Sequence, residues 1–189
     1  MVMGSYSLRI RVTFTQLVIL AIIQSAHAYI LIPNIRLIVE SFGTSYSYAG
    51  FLIGLYTLAG GFAALAWSIY SDVKGFQRRI LMGLGVAGGG ILTVLCAYAL
   101  NKYVFALLYT LSGMALSAVR PFSITILVDM FSSEERSEKL MVFRILGGMG
   151  VVLGFGLGVL VGAVTGNWRY PLLLVGIISL VIGIPLALI

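Results

Sequence analysis

The chain has 189 residues, of which 60% are hydrophobic and 10% are charged, and its mean hydropathy is +1.09. A soluble domain carries roughly 45–50% apolar and 25% charged residues, so this composition excludes an ordinary soluble protein and indicates one that lies in a membrane. The formal net charge of +6 does not indicate nucleic-acid binding, because the basic residues are scattered singly and form no stripe or recognition motif.

Residue types that carry enzyme chemistry are scarce. Cys96 is the one cysteine, His27 is the one histidine, and Asp and Glu number six in total. An internal disulfide is therefore excluded, and too few ligands remain for a metal cluster. The sequence also has no G-x-S-x-G nucleophile motif. We therefore expect no enzyme, no catalytic residue, no cofactor and no bound metal.

Polar and turn residues divide the chain into six apolar segments, each close to or above the about 20 residues that a spanning helix needs. The predicted helices cover about 14–39, 46–70, 79–100, 103–131, 139–164 and 170–189. The first apolar run is too long for the core of a signal peptide, so we expect it to be retained. Short loops predict a single all-α lobe over 1–189. Because the last segment is still apolar at Ile189, we expect the sequence to be truncated.

The distribution of Lys and Arg predicts the orientation. Seven of them fall on the side of the N-terminus: Arg9, Arg11, Lys74, Arg78, Arg79, Arg136 and Lys139. Three fall on the other side, namely Arg36, Lys102 and Arg169, while Arg120 and Arg144 lie at membrane depth. Because positive loops stay inside, the N-terminus and the second and fourth loops are expected in the cytoplasm. We expect a multi-pass protein of the cell membrane.

Three short motifs resemble the major facilitator superfamily. The second loop, SDVKGFQRR, stands where that family has G-x-x-x-D-[RK]-x-G-[RK]-[RK], although Ser68 and Val73 replace a glycine and a basic residue. The fourth loop has the spacing D-x-F-x-x-x-x-R and is nearest to Spinster-like and organic-phosphate antiporter branches. The segment GNWRYPLLL is similar to the family's entry into helix six. The resemblance covers nearly the whole chain and implies the N-terminal six-helix half, built from two inverted three-helix repeats.

The resemblance also implies a cytoplasmic charge cluster that holds one conformation closed. Its expected members lie in or beside the second and fourth loops: Asp72, Gly75, Arg78, Arg79, Asp129 and Arg136. Ion pairs suit a switching surface, since they can break and reform between two packings.

Four polar residues lie where apolar side chains are expected. Ionisable groups at membrane depth are costly and hence functional candidates, so we expect Arg120, Arg144, His27 and Gln24 to face a substrate cavity. Arg120 would then bind an anionic or polar group. The alternatives are that Arg144 snorkels to the cytoplasmic surface and that His27 is a hydrogen-bonded packing residue.

The fifth helix carries glycines at four-residue spacing, which places them on one face and predicts close helix packing. They are Gly150, Gly154, Gly158 and Gly162. By the resemblance, this helix meets the other half of the transporter, so we expect half-to-half packing there.

The expected function is that of a membrane secondary transporter moving a small solute by alternating access. The expected partners are a small-molecule substrate, the lipid bilayer and the missing C-terminal half, or a second copy in its place. Two alternatives stay open, a six-helix channel and a half-transporter that works as a homodimer. The paired N-P-A motifs of aquaporin-like channels do not occur in the sequence.

Overall fold

The computed structural model describes residues 2–75 and 77–188, with side chains from residue 8 onward. This part of the chain has no strand. Its helices are α1 (Val2–Tyr29), a 3₁₀-helix (Ile32–Asn34), α2 (Ile35–Ser41), α3 (Tyr46–Lys74), α4 (Arg78–Ala97), α5 (Lys102–Leu116), α6 (Val119–Met130), α7 (Ser133–Thr165) and α8 (Arg169–Leu188). Residue 189, the last of the predicted sixth helix, lies outside the described residues.

Six segments of the described chain are long and apolar enough to cross a membrane. The first span joins α1, the 3₁₀-helix and α2, and the fourth joins α5 and α6, while α3, α4, α7 and α8 are the second, third, fifth and sixth. Pro33 explains the break in the first span, because it donates no backbone hydrogen bond and its ring clashes with the preceding turn.

The fifth span begins at Ser133, earlier than the start near residue 139 that hydropathy predicts. Ser132 is the N-cap, and its hydroxyl lies 3.2 Å from a carboxylate oxygen of Glu135. The sequence S-x-x-E matches the capping-box pattern, although here the Ser132 hydroxyl bonds the Glu135 side chain and not a backbone N–H. The acidic first turn is favoured by the helix dipole. Most of the predicted fourth loop is therefore the polar beginning of α7.

Three contacts between spans relate the two halves of the lobe. The first span packs against the fifth, the second against the fourth, and the third against the sixth; the third also packs against the fourth. Exchanging spans one to three with spans four to six leaves the first three of these pairs unchanged, as expected for two inverted three-helix repeats. The all-helical, six-span fold agrees with the prediction.

The glycines of α7 pack inside this lobe. A Cβ built on Gly150 or Gly154 would meet the backbone carbonyl of Ile22 or Ala26 in α1, and one on Gly158 would meet the carbonyl of Ile30, the residue after α1. Only hydrogen at the glycine Cα permits so close an approach. The predicted tight packing is present, but the expectation that Gly150, Gly154, Gly158 and Gly162 pack against another half is wrong, because α1 and the adjoining Asn34 occupy their face.

Candidate functional site

One arginine joins the carboxylates at the predicted cytoplasmic end. Arg78 Nη2 lies 3.3 Å from Asp72 Oδ1, and Arg78 Nη1 lies 3.3 Å from Asp129 Oδ2. Asp72 is at the end of α3, Arg78 at the start of α4 and Asp129 at the end of α6. The side chains are partly exposed, so each ion pair is weak on its own, but together they tie three helix ends.

The other predicted members of the charge cluster make contacts outside it. Gly75 closes α3 with φ of +64°, a conformation that favours glycine. Arg79 Nη2 donates to Gln16 Oε1 in α1 at 2.7 Å. Arg136 Nε lies 3.0 Å from the carbonyl of Val128 and so satisfies an end of α6. The structure thus joins Asp72, Arg78 and Asp129 and leaves Arg79 and Arg136 with separate partners.

Two arginines face a common cavity deeper in the bundle. Arg120 and Arg144 both line a cavity of about 400 Å³ between α1, α6 and α7, together with Ser25. Neither arginine has an ion-pair or hydrogen-bond partner within the described part of the chain. We call this cavity the basic compartment.

A proline positions Arg120. Pro121 has no N–H to donate to the carbonyl of Ser117, so the fourth span breaks between α5 and α6. The break frees the Met114 carbonyl, which instead accepts from Trp67 Nε1 at 3.0 Å and from the Ser117 hydroxyl at 2.7 Å. Arg120 follows in the first turn of α6. The Met114 carbonyl freed at the break is therefore satisfied by polar partners, as backbone groups at membrane depth require.

A second cavity, of about 350 Å³, lies on the other side of Ser25 and Arg120 between α1, α3 and α5. Its lining includes Gln24, Tyr29 and Tyr56, and we call it the aromatic compartment. The Gln24 Oε1 atom is buried and has no hydrogen-bond partner among the residues that the structure describes. Because Ser25 and Arg120 line both compartments, the two are neighbouring parts of one cleft.

His27 faces away from this cleft and lines neither compartment. Its Nε2 lies 2.7 Å from the Ser179 hydroxyl in α8, and its Nδ1 lies 3.3 Å from the Thr93 hydroxyl in α4. All three side chains are buried. The substrate-facing expectation for His27 is therefore wrong, and its alternative as a hydrogen-bonded packing residue describes the geometry.

The sequence prediction placed Gln24, Arg120 and Arg144 at this cleft but did not include Ser25, Tyr29 or Tyr56. The sequence pattern did contain a signal for Ser25 and Tyr29. Gln24 and Ser25 are adjacent polar residues in an apolar helix, and Tyr29 follows Ser25 at the four-residue spacing that shares a helix face. Tyr56 had none, since one tyrosine in a membrane span is unremarkable by itself.

Within residues 2–75 and 77–188, no group of three or more His, Cys, Asp or Glu side chains is placed to hold a metal ion. The six spans, their pairing and the polar cleft are the architecture of a helical membrane transporter. The sequence profile of the Major Facilitator Superfamily matches residues 17–189. The chain belongs to this superfamily, corresponds to the N-terminal half of such a transporter, and is not an enzyme.

Relatives and a solved structure agree with this assignment. The chain is 30% identical over 118 residues to the gallate transporter of Pseudomonas putida, covering 62% of this chain and 24% of that protein. It is 27% identical over 114 residues to a sphingosine-1-phosphate transporter of Danio rerio, covering 57% of this chain and 22% of that protein.

Its fold is similar to that of a bacterial homolog of the human lysosomal transporter Spinster in an inward-facing, unoccupied conformation. The TM-score is 0.81 at 16% identity, over 95% of this chain and 42% of that structure. The aligned part of the chain covers about a quarter of the length of the two relatives.

Proposed function

We propose that this chain is the N-terminal lobe of a secondary transporter that moves a small organic anion by alternating access. The observation that carries the proposal is the basic compartment, where Arg120 and Arg144 face one cavity with no acidic partner in the described chain. An anionic substrate supplies the missing negative charge.

Electrostatics favours this assignment. Ionised side chains at membrane depth are expensive unless they are paired or reach water. A guanidinium offers planar, paired donors that match carboxylate or phosphate oxygens, and such charge-assisted bonds are roughly twice as strong as neutral ones. Both arginines are exposed in the lobe, so a substrate entering the cleft reaches them. Two of the similar transporters carry names of organic anions, since gallate is a carboxylate and sphingosine-1-phosphate a phosphate monoester.

The cluster of Asp72, Arg78 and Asp129 suits a gate in the alternating-access cycle. Its ion pairs are partly exposed and therefore contribute little each, so they can open without a large barrier. We place this cluster and the N-terminus on the cytoplasmic side of the cell membrane, as the positive charges predict.

A second lobe completes the pathway in this proposal. The second and fifth spans bury only 17% and 28% of their apolar windows inside the described lobe, which leaves apolar faces for a C-terminal half or a second copy. Substrate sites in this superfamily lie between the two halves, and the cleft opens beside these spans.

The test is transport by the protein expressed from its complete reading frame. The purified protein is reconstituted in liposomes, and the liposomes are preloaded with unlabelled benzoate, succinate or octyl phosphate. Uptake of the same anion in labelled form is then measured as exchange, and glucose serves as an uncharged probe. We expect saturable exchange of at least one anion. Arg120→Gln and Arg144→Gln should each weaken it about 10- to 100-fold, the worth of a hydrogen bond to a charged group.

Arg9→Gln is the matched control, because Arg9 is exposed near the start of α1 and lines neither compartment. Equal exchange by Arg120→Gln and the unmodified protein would overturn the anion site. A flux that does not saturate would favour a channel instead.

A further inference from the structure

The cleft has two ends of different chemistry. The basic compartment holds two arginines that have no ion-pair partner in the described part of the chain. The aromatic compartment holds an amide, two tyrosines and small residues. Since Ser25 and Arg120 line both, a ligand whose anionic group lies in the basic compartment extends its other end into the aromatic one. The aromatic compartment therefore contacts the part of the substrate that is remote from its charged group.

The aromatic compartment is built to receive a flat group. The Tyr56 ring stacks on Tyr109 with centroids 4.6 Å apart, and Tyr109 stacks on Phe105 at 5.9 Å, so the Tyr56 ring is held in place from behind. Gly60 and Gly61 border the same cavity, and a Cβ on Gly61 would have no neighbour within 4 Å. A fixed aromatic wall beside open space favours a ring, because aromatic groups gain from offset or edge-to-face contact.

One side chain that lines the compartment has a polar atom without a partner among the described residues. Gln24 lines the cavity, and its Oε1 atom is buried with no hydrogen bond in this part of the chain. A buried acceptor left unpaired is unfavourable. An amide oxygen accepts and does not donate. A ligand with an N–H or O–H group at this end would satisfy it, whereas a purely hydrocarbon end would leave it unsatisfied.

We infer that the substrate of this cleft is an aromatic carboxylate with a hydroxyl group on its ring, the carboxylate bound by Arg120 and Arg144 and the hydroxyl donated to Gln24. The inference rests on the proposed anion transport and narrows its substrate class. Gln24 is then a specificity-determining residue, and the tyrosine-lined space sets the size of the ring.

The experiment compares three carboxylates as competitors in the liposome exchange assay: 4-hydroxybenzoate, benzoate and cyclohexanecarboxylate. For the unmodified protein we expect 4-hydroxybenzoate to bind about tenfold more tightly than benzoate, the worth of one neutral hydrogen bond. Cyclohexanecarboxylate, which is not flat, should bind more weakly than benzoate. Gln24→Met keeps the side-chain length and removes the acceptor, so it should abolish the preference for the hydroxyl, and 4-hydroxybenzoate and benzoate should then compete equally.

A pair of glycine variants tests the ring site independently. Gly61→Ala adds a methyl group at the edge of the aromatic compartment, and Gly54→Ala adds one to the same helix outside it; neither new Cβ would have a neighbour within 4 Å. We expect Gly61→Ala to weaken both aromatic competitors several-fold and Gly54→Ala to change neither. This pair and the comparison of competitors on the unmodified protein stand even where Gln24→Met fails to fold.

Each outcome separates this inference from the proposed function. Exchange of succinate or octyl phosphate without competition by either aromatic acid would overturn the inference and leave anion transport standing. Equal affinity for benzoate and 4-hydroxybenzoate in the unmodified protein would likewise overturn the role of Gln24. Absence of exchange with every anion would overturn both.

Discussion

Gly154→Ala should weaken the contact between the first and fifth spans. A Cβ on Gly154 would meet the carbonyl oxygen of Ala26 and lie 2.6 Å from its Cα, whereas carbon atoms in contact normally lie about 3.5–4.0 Å apart. Both obstacles are backbone atoms of α1, which cannot rotate away as a side chain does. The two helices must therefore separate by about 1 Å at this point, and overpacking of this kind costs about 1–3 kcal/mol.

The substitution also raises helix propensity, by up to about 1 kcal/mol, so a matched control is needed. Gly156→Ala lies in the same helix and Gly88→Ala in α4, and neither new Cβ would have a neighbour within 4 Å. Because all three variants share the gain in propensity, the difference between Gly154→Ala and the controls isolates the contact. We expect Gly154→Ala to be less stable than both controls by about 1–3 kcal/mol.

The assay is denaturant unfolding in lipid–detergent micelles, followed by circular dichroism and by thiol labelling of Cys96, which is buried in the folded lobe. A Gly154→Ala variant as stable as Gly88→Ala would refute the close approach of α1 and α7. Loss of stability in Gly156→Ala as well would show that a partner covers the outer face of α7, and Gly88→Ala would then be the remaining control.

Three further substitutions test other contacts. Arg78→Gln removes two partly exposed ion pairs worth about 0.5–2 kcal/mol together. This loss should shift the conformational equilibrium about 2- to 30-fold, as measured by the accessibility of cysteines introduced in the cleft. The control Lys74→Gln removes the same charge and should shift the equilibrium little. Ser179→Ala should cost about 1–3 kcal/mol of unfolding free energy by removing the hydroxyl partner of a buried His27 nitrogen, with unchanged affinity for anions. Trp67→Phe should cost at most about 1.5 kcal/mol in the same unfolding assay. The Met114 carbonyl loses the Trp67 donor but keeps the Ser117 hydroxyl as a second donor.

Hydropathy predicted the six spans because each crossing needs its own apolar run, and this signal is local in sequence. It did not predict the partner of each span. The glycine spacing of α7 indicated a close helix contact correctly, but nothing in the spacing distinguishes α1 from a helix of another lobe. Likewise the Ser179 partner of His27 is 152 residues away, and only the pairing of the spans brings the two together.

The charged residues of the candidate site were predictable from the sequence, but their grouping on one cavity was not. Arg120 and Arg144 stand out as charges in apolar segments. Their placement on one cavity depends on the helix break before Pro121 and on the rotation of α7 about its axis, and neither is encoded in hydropathy. Tyr56 could not be predicted for a similar reason. Its role depends on the space that Gly61 leaves open beside it and not on its own residue type.

One turn of α1 combines these relations. Successive residues of an α-helix are rotated by about 100°, so four consecutive side chains face different neighbours. Gln24 lines the aromatic compartment, Ser25 lines both compartments, Ala26 packs on Gly154 of α7, and His27 bonds to α4 and α8. The same turn therefore supplies the wall of the cleft and the contacts that hold the first span against three others. Because its inner faces are fixed by backbone packing and buried hydrogen bonds, the polar face at Gln24 and Ser25 is held rigidly toward the cleft, as selective recognition requires.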